Sequence, residues 1–143
     1  MAGIILDSSV YIDSLRNRDF SLLLGRRIVL KGKSFSVYVS CVVLAELYSG
    51  ADKVSKKAFA KFEYNASKTN RLLAPNKGDW SLAGKILNSI GTKYGFEMIG
   101  RSRITNDCLI AMTARRLGLS LLTINAKDFR IISEFRSFKF EQI

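Results

Sequence analysis

The chain contains no histidine, a single proline and only two cysteines among its 143 residues. The missing imidazole excludes Ser-His-Asp and Cys-His catalysis, histidine-ligated zinc and an imidazole general base. Any catalysis must run on carboxylates, hydroxyls, lysines or a metal. Cys41 and Cys108 are too far apart for a paired zinc knuckle and too few for a disulfide scaffold; each sits in an apolar stretch and reads as a small buried hydrophobe. Long apolar runs are absent too. Stretches such as 42–45 and 119–124 fall far short of the ~20 residues a bilayer-spanning helix needs. The first apolar run, Gly3-Ile4-Ile5-Leu6, has no basic stretch before it and is cut short by Asp7. That is unlike a secretory signal, so a cytoplasmic location without a membrane segment is expected.

What the chain does have is core and positive charge. Apolar residues make up 48% and charged ones 24%, enough for a packed core without low-complexity character. The length suits one domain, 1–143. Lysine plus arginine number 23 against 12 acids, a net charge of +11. The excess is spread along the chain and forms no tail, which fits a folded surface that binds a phosphate backbone. Solubility or an acidic protein partner would produce the same composition.

The pattern alternates strand and helix. Residues 3–6 read as a strand and the stretch around Val10, Tyr11, Ile12 and Leu15 as a helix, followed by a second helix over 20–31. Residues 35–39 alternate like a strand. Ser40 then offers an N-cap for a helix with apolar face Val43, Leu44, Leu47 and Tyr48, ending near Gly50. A lysine-rich helix is predicted over 52–70, with Val54, Ala58, Phe59, Phe62 and Ala66 as its buried stripe and Lys53, Lys57 and Lys61 at four-residue spacing beside it. A short strand at 72–74, a helix over 79–94, a loop over 95–103 and a helix over 105–117 follow. The chain closes with a strand at 119–123, a helix over 127–133 and a strand at 138–140. Continuous apolar strands separated by helices predict a three-layer α/β/α sandwich on a mainly parallel sheet. In such sheets ligands bind beyond the carboxyl ends of the strands.

Four acids fall where that rule places a site. Asp7 ends the first apolar run and is also a natural helix cap. Glu46 lies among Val42-Val43-Leu44-Ala45-Glu46-Leu47-Tyr48, where a buried carboxylate needs solvent, a cation or a partner. Asp107 opens a helix that Thr105 or Asn106 would cap, and Asp128 follows the late strand through Asn125. Singly, each has a plain structural explanation. Converging, they repel, and a hard divalent cation, Mg²⁺ or Mn²⁺, reconciles them without histidine or cysteine. Such a cation supports phosphodiester hydrolysis. An acidic pocket on a basic exterior therefore reads as a nuclease.

The motifs Leu6-Asp7-Ser8-Ser9-Val10, Leu44-Ala45-Glu46-Leu47-Tyr48, Asn106-Asp107-Cys108-Leu109-Ile110-Ala111 and Leu122-Thr123-Ile124-Asn125-Ala126-Lys127-Asp128-Phe129 occur in that order across nearly the whole chain. Together they resemble the PIN-domain ribonucleases, specifically VapC-type toxins of toxin–antitoxin systems. The resemblance implies that Asp7, Glu46 and Asp107 bind the metal, with Ser9, Thr123 and Asn125 supporting. Some members place the fourth acid where this chain has Asn125 and others three residues later, at Asp128, the residue assigned here. The resemblance also implies Mg²⁺- or Mn²⁺-dependent endoribonuclease activity on RNA, a cognate antitoxin over the acidic groove, and a homodimer. Arg16, Arg101, Arg103, Arg115 and Lys127 are candidate RNA contacts by their nearness in sequence to the acidic motifs. The competing readings are a non-catalytic nucleic-acid-binding or interaction module of the same fold and a DNA-directed nuclease.

Overall fold

Ile4, Ile5 and Leu6 of strand β1 (Gly3–Leu6) are almost wholly inaccessible, as are Leu121 and Leu122 of strand β5 (Ser120–Thr123). Strands apolar on both faces need cover on both, and helices flank the centre of the sheet on either side. The computed structural model describes residues 3–100 and 102–143. The remaining elements are α1 (Ser8–Arg16), α2 (Ser21–Leu24), β2 (Arg27–Leu30), β3 (Lys33–Ser40), α3 (Cys41–Ser49), α4 (Lys53–Lys68), β4 (Leu72–Leu73), α5 (Lys77–Tyr94), α6 (Ser102–Leu117), α7 (Lys127–Ser133) and β6 (Phe140–Gln142). A 3₁₀ turn, Phe96–Met98, joins α5 to α6. The sheet order is β2-β3-β1-β5-β6, with β4 also paired to β3, and every pairing is parallel except β2 with β3.

The topology decides where the site forms. Parallel crossovers are right-handed. The connections β1 to β3 and β3 to β4 run one way along the sheet, whereas β4 to β5 and β5 to β6 run the other. Helices α1, α3 and α4 therefore cover one face and α5, α6 and α7 the other, and the helices pack on one another in those same two groups. Helix α3 also meets α6. Helix α3 follows the carboxyl end of β3 and α6 follows the 3₁₀ turn after α5, so their contact bridges the two helical layers.

Several local expectations change. The helix expected over 20–31 is only the four-residue α2; the rest is strand β2, folded back on β3 as a hairpin. Gly25 leaves the helix in extended backbone (φ −91°, ψ 142°), and the turn places both Lys31 (φ 50°) and Gly32 (φ 75°) in the left-handed region. Two consecutive positive-φ residues form the turn whose twist matches a two-residue hairpin. Helix α6 begins at Ser102 rather than at 105, so neither Thr105 nor Asn106 caps it, and Asp107 sits beyond its first turn. Helix α5 starts earlier than expected, at Lys77, because Asn76 and Asp79 form a reciprocal capping box. The last strand lies at Phe140–Gln142. Val54 is 74% exposed, outside the buried stripe, which runs through Phe59, Phe62 and Ala66. Cys108 is buried as expected, but Cys41 is half-exposed. Among the described residues no helix is long and apolar enough to cross a membrane.

Ser40 is fully buried, and its hydroxyl accepts from the backbone N–H of Val42 at 3.1 Å, capping α3 as predicted. Ser40→Ala leaves that donor unpaired and is expected to cost about 1 kcal/mol, a fall in Tm of roughly 2–4 °C by calorimetry. An unchanged Tm would show that the cap does not hold α3, and with it Glu46, in place.

Candidate active site

Asp7 stands between β1 and α1 in the position of a helix cap, yet its side chain caps nothing. The carboxylate, 6% exposed, accepts instead from the Ser9 hydroxyl at 2.5 Å and the Thr123 hydroxyl at 2.7 Å. Thr123 ends β5, which pairs directly with β1, so two residues 116 apart in sequence meet because their strands are neighbours. The backbone N–H of Asn125 donates to the Thr123 hydroxyl at 3.1 Å, and that of Ile124 to the Ser9 hydroxyl at 3.3 Å. The loop after β5 is thereby tied to the start of α1. Burial raises the proton affinity of Asp7, and the two hydroxyls and the backbone N–H groups of α1 work against that rise.

Glu46 comes from α3. Burial raises its proton affinity too; the side chains of Asn106 and Ser8 and the charge of Arg103 lower it, and the charge of Asp7 raises it again. Its Oε1 is buried without a hydrogen-bond partner among the described residues. An unpaired buried carboxylate oxygen is costly. Asp107, on α6, is the most perturbed acid: burial, then the charges of Asp128, Asp7 and Glu46, push its pKa from 3.8 up to about 8, against the pull of Arg103. The Asp107 carboxyl group thus feels the charges of the other three acids. Asp128 lies half-buried in the first turn of α7.

Among the described residues, no three acidic or cysteine side chains are drawn together tightly enough to enclose an ion as they stand. The donor set nevertheless fits a hard divalent cation. It is all oxygen, contains an orphaned carboxylate oxygen, and includes an acid whose proton a cation would replace.

Asn125 is placed differently from Ser9 and Thr123. Its side-chain oxygen accepts from the backbone N–H of Lys127 at 3.3 Å and so helps start α7. Asn106 and Ser8, which both bear on Glu46, are the positioning residues missing from the sequence reading. Asn106 was legible only as a cap candidate; its place next to Asp107, on a helix that meets α3, is the signal that identifies it.

The candidate cations divide. Arg103 acts on both Glu46 and Asp107. Arg16 shares with Glu46 a cleft of about 410 Å³ between α1, α3 and α4. Lys127 precedes Asp128 at the exposed start of α7. Arg115 lies eight residues beyond Asp107, about 12 Å along the helix, and lines hollows beside Asp79 and Gly118 away from the acids. Arg101 falls outside the described residues.

The PIN domain family matches residues 4–134. The chain belongs to the PIN domain family. This PIN domain is 32% identical to Ribonuclease VapC1 of Rickettsia felis, over 91% of its own length and 90% of that protein's. Its fold is similar to that of VapBC-1 from nontypeable Haemophilus influenzae (TM-score 0.64, 23% identity, covering 97% of this chain and 96% of that one). It is also similar to VapBC-5 from Mycobacterium tuberculosis (TM-score 0.61, 21% identity, all of both chains).

Proposed function

We propose that this PIN domain is a divalent-metal-dependent endoribonuclease and the toxin of a toxin–antitoxin pair. The observation that carries the reading is the meeting of Asp7, Glu46, Asp107 and Asp128 in one electrostatic field, with Asp107 raised to about 8 by burial and by the other three. Resemblance to a curated VapC ribonuclease along nearly the full chain supports RNA as substrate, and the VapBC complexes among its structural neighbours support an antitoxin partner. A homodimer belongs to the same reading, which sedimentation would register as about twice the 16.0 kDa chain mass.

Asp7, Glu46, Asp107 and Asp128 would hold Mg²⁺ or Mn²⁺. When bound, such a cation polarises a phosphoryl oxygen and acidifies water. The chain's own residues prepare the site. Ser9 and Thr123 orient the Asp7 carboxylate and favour its ionised form against the effect of burial. Asn106 and Ser8 do the same for Glu46. Arg103 offsets the repulsion the acids would exert on an incoming phosphate, and the loop holding Thr123 and Asn125 closes one side of the rim.

Cleavage of single-stranded RNA is expected to stop in excess EDTA and to return when Mg²⁺ or Mn²⁺ is added beyond the chelator, with matched DNA left intact. RNA binding that is salt-sensitive but indifferent to chelator, without cleavage, would reject the enzyme reading. Thr123→Val removes one of the hydroxyls that favour the ionised form of Asp7. It is expected to lower kcat by about tenfold, the effect of one lost hydrogen bond to a charged group, and to move the acid limb of the pH–rate profile upward. An unshifted limb would separate Thr123 from the ionisation of Asp7.

A further inference from the structure

Helix α4 carries Lys53, Lys56, Lys57, Lys61 and Lys68 against one acid, Glu63, whose carboxylate is already engaged by the Tyr48 hydroxyl at 2.7 Å. All five lysines are exposed, and none forms an ion pair among the described residues. At 3.6 residues per turn, Lys53, Lys57, Lys61, Tyr64 and Lys68 fall within about 80° of arc, so they form a single stripe along the helix. Tyr64 is 63% exposed, and Lys68 lies over its ring at 5.9 Å. The opposite face, with Phe59, Phe62 and Ala66, is buried in the core. Core packing therefore accounts for none of the stripe, and the acid-cluster reading uses none of it.

We infer that this stripe is a track for single-stranded RNA, guiding the strand between solvent and the acid cluster. The inference rests on the ribonuclease reading for its substrate and on α4 for its geometry. Lysines four apart on a helix are separated by about 6 Å along its axis, commensurate with successive phosphates of an extended strand. Lys53 to Lys68 span about 22 Å, the length of a few nucleotides. An exposed ring among unpaired cations is the combination that binds single strands without reading sequence: the cations follow the backbone and the ring stacks a base. Only the N-terminal end of the stripe comes near the cleft that Glu46 and Arg16 share: Ser55 lines that cleft from the face of α4 turned away from the stripe, and Lys53 stands two residues before it.

The test measures binding of a fluorescein-labelled oligouridylate to the full chain in EDTA, across a range of salt. Neutralising the ridge as Lys53→Gln, Lys57→Gln and Lys61→Gln together is expected to weaken binding by at least about tenfold and to flatten the slope of log affinity against log salt by about 2. A comparison variant with the same charge loss on other elements, Lys85→Gln, Arg136→Gln and Lys139→Gln, is expected to change either quantity far less. Tyr64→Ala is expected to weaken binding about fivefold at an unchanged salt slope. With Mg²⁺ present, the ridge variant should show a raised KM and unaltered kcat on a long RNA, and wild-type turnover of a dinucleotide too short to reach α4. Equal losses in both triple variants would reduce the effect to net charge and overturn the track. Normal RNA binding by the ridge variant, with loss only of an acidic protein partner, would overturn it in favour of a protein-docking surface. The two readings fail separately: cleavage unaffected by the ridge variant removes the track and keeps the nuclease, whereas ridge-dependent binding without cleavage removes the nuclease and keeps the track.

Discussion

Asp7→Asn is expected to reduce RNA cleavage by a thousandfold or more, a loss of about 4 kcal/mol of transition-state stabilisation, while the folded chain persists. The amide keeps the size of the carboxylate but not its charge, and only one of its two terminal atoms can accept from Ser9 or Thr123. Removing a charge buried to 6% exposure offsets part of the lost hydrogen bonding, so Tm should move by only a few degrees. The contrast between abolished turnover and a retained cooperative melt is what distinguishes a functional carboxylate from a structural cap. Full activity in the variant would detach Asp7 from the chemistry. Loss of the melting transition would make it a structural residue.

The second large effect concerns stability. Asp107 has a pKa of 3.8 when unperturbed and about 8 in the fold, so between these values the native state binds the proton that the unfolded chain releases. Stability therefore falls as pH rises through that window: the protein in EDTA should melt higher at pH 5 than at pH 8.5. For a half-buried group sharing its field with three other acids, a difference of roughly 2–3 kcal/mol, or about 5–10 °C, is expected. Asp107→Asn cannot lose a proton and should remove most of that slope, melting above the wild type at pH 8.5. Adding Mn²⁺ at pH 8.5 should restore the wild type by several degrees through mass action and the variant much less. If the wild type melts at the same temperature at both pH values, Asp107 is not held protonated by its neighbours, and the acids do not form one cluster.

The apolar runs of β1 and β5, the Ser40 cap of α3 and the bounds of α7 were all legible from local pattern, because each is decided by residues adjacent in sequence. The β2–β3 hairpin was not. Leu22, Leu23 and Leu24 favour a helix, and Ile28, Val29 and Leu30 bring apolar residues back after only Gly25, Arg26 and Arg27; pairing with β3 makes them a strand. Val54 shows the same limit at the level of one side chain. It has the hydrophobicity of its stripe but lies outside the line through Phe59, Phe62 and Ala66, and nothing covers it.

The sequence by itself determined the chemistry available to this protein: no imidazole, an excess of cations, and four acids in motifs following strand ends or opening helices. Only the tertiary structure decided that Thr123 supports Asp7, that Asn106 and Ser8 bear on Glu46, and that burial and the charges of Asp128, Asp7 and Glu46 raise the proton affinity of Asp107. Residue types and their spacing are local properties. Proton affinity depends on burial and on the charges brought near, and these are set when β5 pairs with β1 and α3 meets α6.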